Sequence, residues 1–206
     1  MTNDEILRII EQYVKEKCND DSSGHDWYHI ERVKNISLMI NKVENGDDFT
    51  ILMIATLHDL YDHKFYNGDI YFAIKNLFTS LSIISFIEEE IIENIAYSCK
   101  YIGFTENIKN KRNLSLEGKI VQDADRIDAL GAIGIARTFA MGAKFNNLLY
   151  DSKNENTKTT IKHFYDKLLK LKDTMNTITG KNIANNRHKY MEEYLKEFYL
   201  EWDGKK

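Results

Sequence analysis

Apolar residues recur at steps of three and four along most of this chain, and no segment shows the alternation of a half-buried strand. In 3–18, Ile6, Ile9, Ile10, Tyr13 and Val14 fall on one helical face. Residues 26–44 repeat the spacing with Ile30, Val33, Ile36, Ile40 and Val43. A helix over about 49–61 would be nearly all apolar on one side and hence deeply packed. The NGD at 67–69 reads as a turn and N-cap before a helix carrying Phe72, Ile74, Leu77 and Phe78. Another helix spans 85–103, closed by Gly103 as C-cap. Residues 104–114 are polar and basic, a loop, and the next helix begins near Ser115.

The segment 120–142 is rich in Ala, Gly and Ile, and its small residues let a helix backbone approach its neighbours closely. A long loop with an apolar patch follows at 142–156, a candidate lid, and then helices over 157–175 and 183–202. The last shows Met191, Tyr194, Leu195, Phe198 and Trp202 at helical spacing. There is no proline, where average usage of about 5% predicts roughly ten, so the strongest helix breaker is missing. The expected fold is all-α, with about eight helices and no internal repeat.

At 206 residues the chain is expected to form one domain with a sizeable core. A net charge of −4 argues against nonspecific binding to nucleic acid polymers or acidic membranes. Cys18 and Cys99 lie far apart with no metal-type spacing and read as reduced thiols. The N-terminal stretch has early acidic residues and no continuous apolar run, unlike a signal peptide. Charges break the longest apolar stretches before the roughly 18 residues a membrane span needs. The expected location is the cytoplasm, and a homo-oligomer is compatible with the sequence.

Three segments carry ionisable groups where a packed helix would prefer Leu. In ATLHDLYDHKF (55–65), His58, Asp59 and Asp62 project to one side if a helix ends there. Imidazole and carboxylate together suit divalent ions such as Mn²⁺, Fe²⁺, Co²⁺ or Mg²⁺. The zincin pattern HExxH fails, because His58 and His63 are five apart and Asp follows the first His. GHDWYHIERV (24–33) puts His25 and His29 four apart, with Arg32 three further on. DADRIDALG (123–131) clusters three carboxylates and an Arg in an apolar segment, and burying Asp125 or Asp128 unpaired would be costly. Taken singly, each could be a solvated helix end.

In order along the chain, His29, His58-Asp59 and Asp125 resemble the H…HD…D signature of the HD-domain metal-dependent phosphohydrolases. The motifs GHDWYH, HDLYDHKF and QDADRIDALGAIGIARTF resemble more narrowly the YedJ/YpgQ-like bacterial branch. The likeness covers roughly residues 1–150, and the region after about 155 shares only its helical character. It implies an all-α HD-type bundle, with a metal-site core over about 20–142 and the helices of about 157–202 packed on it. It also implies one divalent metal held by His29, His58, Asp59 and Asp125, with Mn²⁺ first and Mg²⁺, Co²⁺, Fe²⁺ or Ni²⁺ as alternatives. Asp125 is chosen over Asp123 because a basic residue, Arg126, follows it. No His lies between His63 and His163, so a mononuclear site is expected rather than the two-metal or diiron type.

The implied activity is hydrolysis of phosphoester or phosphoanhydride bonds of nucleotides. The first choice is conversion of a nucleoside triphosphate to monophosphate and pyrophosphate. The alternatives are nucleotide monophosphatase or phosphodiesterase activity in the same site, or a nucleotide-binding module without turnover. Asp62 is the expected acceptor of the attacking water's proton, or its positioner, and Lys64 the neutraliser of phosphate charge. His25, Arg32 and Asp128 are candidate substrate contacts. The alternative for His25 is a helix cap, for Arg32 a salt bridge to a helix carboxylate, and for Asp128 support of a ligand. Arg126 balances the neighbouring carboxylates. Lys109, Lys111 and Arg112 read as a solvated charge run, and His163 and His188 as structural.

Overall fold

The structure is a computed structural model that describes residues 1–17, 26–61, 66–103, 112–154 and 157–206. Among these residues it is built from nine α-helices and two 3₁₀ turns, with a single isolated bridge between Leu148 and Thr159. Helix α1 (Asn3–Lys17) buries Ile6, Ile10 and Val14, one side chain per turn. Helix α2 (Trp27–Glu44) starts at Asp26, whose side chain accepts from the His29 backbone N–H at 2.9 Å. It ends at Asn45, held in the left-handed region at φ 60°. Helix α3 (Asp48–Leu57), capped by Asp47, is buried at all but two of its ten positions. It packs against α1, α2, α5 (Glu89–Tyr101) and α6 (Leu116–Asp128) at the centre of the bundle.

Asp69 and Ser115 cap α4 (Ile70–Ser80) and α6 as their sequences predict, each accepting a backbone N–H. Other boundaries move. The helix expected over 49–61 stops at Leu57, because the His58 ring turns back and its Nδ1 bonds the Ala55 carbonyl at 2.8 Å. That carbonyl belongs to the last turn, whose C=O groups have no partner within the helix. The helix expected over 85–103 opens with a 3₁₀ turn at Ile84–Phe86, and Ile102 rather than Gly103 caps it. The segment 120–142 divides into α6 and α7 (Gly131–Lys144). The corner needs φ +73° at Gly131, a conformation costly for a residue with a Cβ.

The expected helix over 157–175 is α8 (Thr160–Asp166) followed by 3₁₀ turns over Leu168–Thr174. The last helix, α9 (Ile178–Trp202), begins five residues before its predicted start, because Thr177 caps it. In the 142–156 stretch, Leu148 and Leu149 carbonyls accept from Thr160 and Ile161 N–H groups. Tyr150 packs edge-on to Phe198, Tyr199 and Trp202, so the described part of this stretch is anchored at its middle. Val43 and Phe72 are exposed despite their periodic placement: Val43 sits in the last turn of α2, and Phe72 lies off the stripe of Ile70, Ala73, Ile74 and Leu77.

The mutual packing of α2, α3 and α6 positions the site. The C-terminal end of α3 meets the first turn of α2 and the last turn of α6. The partial negative charge of a helix C-terminus favours a cation there.

Candidate metal centre

The Asp26 cap places His29 at the third position of α2, where its ring is 1% exposed. His58 and Asp59 leave the end of α3, and Asp125 comes from the last turn of α6. Their donor atoms converge. His29 Nε2 lies 3.2 Å from His58 Nε2, 3.4 Å from an Asp59 oxygen and 3.5 Å from an Asp125 oxygen. His58 Nε2 lies 3.8 Å from Asp59 and 3.9 Å from Asp125. His29, His58 and Asp125 form a cluster that could hold one ion, and Asp59 stands on its edge.

Each ring is anchored through its other nitrogen. His29 Nδ1 meets Asp128 Oδ2 at 2.8 Å, and His58 Nδ1 meets the Ala55 carbonyl at 2.8 Å. With Nδ1 donating in both, two Nε2 lone pairs face each other amid two carboxylates. That donor set requires a positive charge between them, either a proton or a metal ion. The electrostatics agree. Burial disfavours a charged His29, but hydrogen bonds to Asp128 and Asp59 and the charges of Asp59 and Asp125 outweigh it, raising its pKa to about 9. Neutral imidazoles with carboxylates, and no thiolate, fit a borderline or hard divalent ion.

Of the two roles expected for Asp128, support of a ligand and contact with substrate, its geometry matches the first. It is 0% exposed, behind His29, and accepts from His29 Nδ1, from Arg32 Nε at 2.7 Å and from Arg137 Nη1 at 2.6 Å. Burial alone would raise its pKa; the His29 and Arg32 hydrogen bonds and nearby positive charge hold it well below the usual carboxylate range. Arg32 spends two nitrogens on this carboxylate, which matches its salt-bridge reading. Asp123 points elsewhere. It accepts from Asn176 and Thr177 backbone N–H groups, both at 2.8 Å, and from both of their side chains, gripping the start of α9. Arg126 donates to the Thr174 carbonyl, in the turn just before α9.

His25, Asp62 and Lys64, with His63, Lys109 and Lys111, lie outside the described residues. Arg112 stacks over the Tyr101 ring. Cys99 is a buried free thiol whose pKa burial pushes up, and His188 is buried beside Glu192. Two arginines escaped the sequence reading. Arg137 bonds Asp128, and Arg187 donates to the Ile127 carbonyl at 2.8 Å. For Arg137 a signal existed, a lone cation in the otherwise apolar run GAIGIARTFAMG.

Comparison with known proteins agrees with this geometry. The family model described as HD domain matches residues 26–130. The uncharacterized protein YpgQ of Bacillus subtilis is 36% identical over 197 residues, covering 95% of this chain and 93% of YpgQ. A crystal structure of YpgQ in complex with ADP superposes with a TM-score of 0.78, at 32% identity over the aligned structures, covering 98% and 97% of the two chains. An HD-superfamily hydrolase from Bacillus thuringiensis gives 0.77 at 39% identity, covering 98% of this chain and 99% of its own. A Lactobacillus plantarum protein gives 0.81 at 31%, covering 99% and 100%. The match over the segment that carries all four converging side chains shows that this chain belongs to the HD-domain family, the metal-dependent phosphohydrolases to which its motif order pointed.

Proposed function

We propose that this protein hydrolyses nucleoside triphosphates, ribo- or deoxyribo-, to the monophosphate and pyrophosphate. One divalent ion would be held by His29, His58, Asp59 and Asp125. The observation that carries this reading is the anchoring of both imidazoles through Nδ1, which leaves two Nε2 atoms and two carboxylates facing one point. The ADP complex of YpgQ supports a nucleotide as the ligand. An ion held by these four residues would supply Lewis acidity, which lowers the pKa of water and polarises a phosphoryl oxygen. Mn²⁺ is the first choice for this nitrogen–oxygen set, followed by Mg²⁺, Co²⁺, Fe²⁺ and Ni²⁺.

The chain's own contributions follow from exposure. The histidine side chains are 1% exposed, whereas those of Asp59 and Asp125 are 24% and 31% exposed, so the carboxylate side is the face a substrate meets. Water attacks the α-phosphorus, the bond to the bridging oxygen breaks, and pyrophosphate leaves. Asp62 is proposed to take the water's proton or position it, Lys64 to neutralise phosphate charge, and His25 to contact substrate. No helix among the described residues is long and apolar enough to cross a membrane, and the cytoplasm is the proposed location.

The test is a nucleotide panel incubated with protein loaded with each ion, with products resolved by chromatography. Monophosphate and pyrophosphate are expected. Orthophosphate as the first product would favour a monophosphatase, and cleavage of diesters a phosphodiesterase. No turnover with any ion would leave a binding module.

A further inference from the structure

His29, Arg32 and Arg137 all bond Asp128, and their bonds fall unevenly on its two oxygens. Oδ1 accepts from Arg32 Nε at 2.7 Å. Oδ2 accepts from Arg137 Nη1 at 2.6 Å, from His29 Nδ1 at 2.8 Å and from Arg32 Nη2 at 3.1 Å. A carboxylate oxygen has room for about two donors in good geometry. Arg137 and His29 hold those places on Oδ2, and the second Arg32 bond is the long one. Charge balance does not call for Arg137, because Arg32 alone makes a bidentate pair with this carboxylate. What Arg137 adds is direction.

His29 and Arg32 both ride on α2, one turn apart, so their bonds tie Asp128 to α2 only. Arg137 rides on α7, which leaves α6 at the corner set by Gly131. That corner is itself held. Arg187 of α9 donates to the Ile127 carbonyl at 2.8 Å, and its aliphatic stem lies 3.1 Å from where a Cβ on Gly131 would stand. Oδ2 is thereby fixed from a second direction, and with it the Nδ1 edge of the His29 ring. The far edge carries Nε2, 3.2 Å from His58 Nε2 and 3.4 Å from Asp59. The geometry points to Arg137 as a positioning residue for the metal ligand His29, acting through Asp128 to aim Nε2 at the ion. This rests on the four-residue metal centre of the reading above. It adds a residue outside the segment 26–130 on which the affinity of that centre depends.

The experiment titrates Mn²⁺ into metal-free protein and reads the free ion by electron paramagnetic resonance. Wild type is compared with Arg137→Met, Arg137→Lys, Asp128→Asn and the double variant of Arg137→Met with Asp128→Asn. Asp123→Ala is the control, since it loosens the start of α9 instead. Helical circular dichroism and urea midpoints are recorded for each. Arg137→Met is expected to bind Mn²⁺ about 10- to 100-fold more weakly. Arg137→Lys should recover part of that loss, because Asp128 receives a single nitrogen from position 137. The double variant should bind no more weakly than Asp128→Asn alone, the mark of one residue acting through the other. Asp123→Ala should keep wild-type affinity despite its lower stability. Unchanged affinity in Arg137→Met, losses that multiply in the double variant, or an equal loss in Asp123→Ala would each overturn the assignment. No Mn²⁺ binding by wild type would overturn the metal centre along with it. Nucleotide hydrolysis is read separately, so Arg137-dependent Mn²⁺ binding without turnover would sink the enzymatic reading alone.

Discussion

Asp128 Oδ2 meets His29 Nδ1 at 2.8 Å, on the edge of the imidazole opposite the one that faces His58 and Asp59. The carboxylate anchors Nδ1 and points Nε2 at His58 and Asp59, which orients the ring as a ligand. Asp128→Ala is expected to weaken metal binding about 10- to 100-fold. It should also lower stability by about 3 kcal/mol, since Arg32 and Arg137 lose a buried partner. Isothermal titration with Mn²⁺ and urea unfolding measure the two effects, and unchanged metal affinity would remove Asp128 from the support of the site.

The same pair sets opposite pH limits for the metal-free protein. His29 has its pKa raised to about 9, so its contribution is complete below the ordinary 6.5 and is lost as pH climbs towards 9. Asp128 is held low, so its contribution is present above the ordinary 3.8 and fades as pH falls below that value. Chelator-treated protein should therefore melt highest between about pH 4 and 6.5. Metal must displace the His29 proton, so apparent affinity should rise from about pH 6.5 to 9 with proton release. A melting temperature that stays level from pH 6.5 to 9 would contradict the His29 shift.

Asp59 is half-buried and approaches His29 Nε2 at 3.4 Å. Asp59→Ala is expected to abolish metal binding and activity while leaving the helical circular dichroism intact. Elemental analysis that still finds one ion per chain would strike Asp59 from the donor set.

Asp62→Asn is expected to keep its metal and lose about 10²- to 10⁴-fold in kcat, the size of a general-base contribution. Turnover equal to wild type would exclude Asp62 from the mechanism.

Asp123 accepts hydrogen bonds from Asn176 and Thr177, and a Cβ built on Gly180 would lie 2.5 Å from its Oδ2. Asp123→Ala should lower stability by about 3 kcal/mol through the lost grip on α9, with metal stoichiometry unchanged. Gly180→Ala should act in the same direction by displacing the carboxylate. Loss of metal in the Asp123 variant would show that the grip on α9 also positions Asp125.

Much of the bundle was legible because helix formation repeats locally. The face of Ile6, Ile10 and Val14 and the caps Asp69 and Ser115 depend on neighbours within a turn. The grouping of His29, His58, Asp59 and Asp125 was legible only through the order of three motifs, since no single one exceeds a chance pairing. The end of α3 was not legible, because the His58 side chain competes with the helix for Ala55. The break at Ala129–Leu130 was not either, because the segment's composition permits a continuous helix and the corner depends on the left-handed Gly131.

What the sequence by itself determined is the periodicity, the capping residues and the chemical kinds of group present. Division of labour among three aspartates of one helix was decided by tertiary structure. Two residues on a helix turn through about 200°, so Asp123 and Asp125 face opposite ways, whereas Asp125 and Asp128 differ by about 60° and share the His29 side. Which side holds His29 and which holds the start of α9 follows from packing between segments 99 and 54 residues apart in the chain. Contacts at that separation leave no local periodic trace. Arg137 reads as one more helical arginine until α7 folds back at Gly131 and brings it to Asp128.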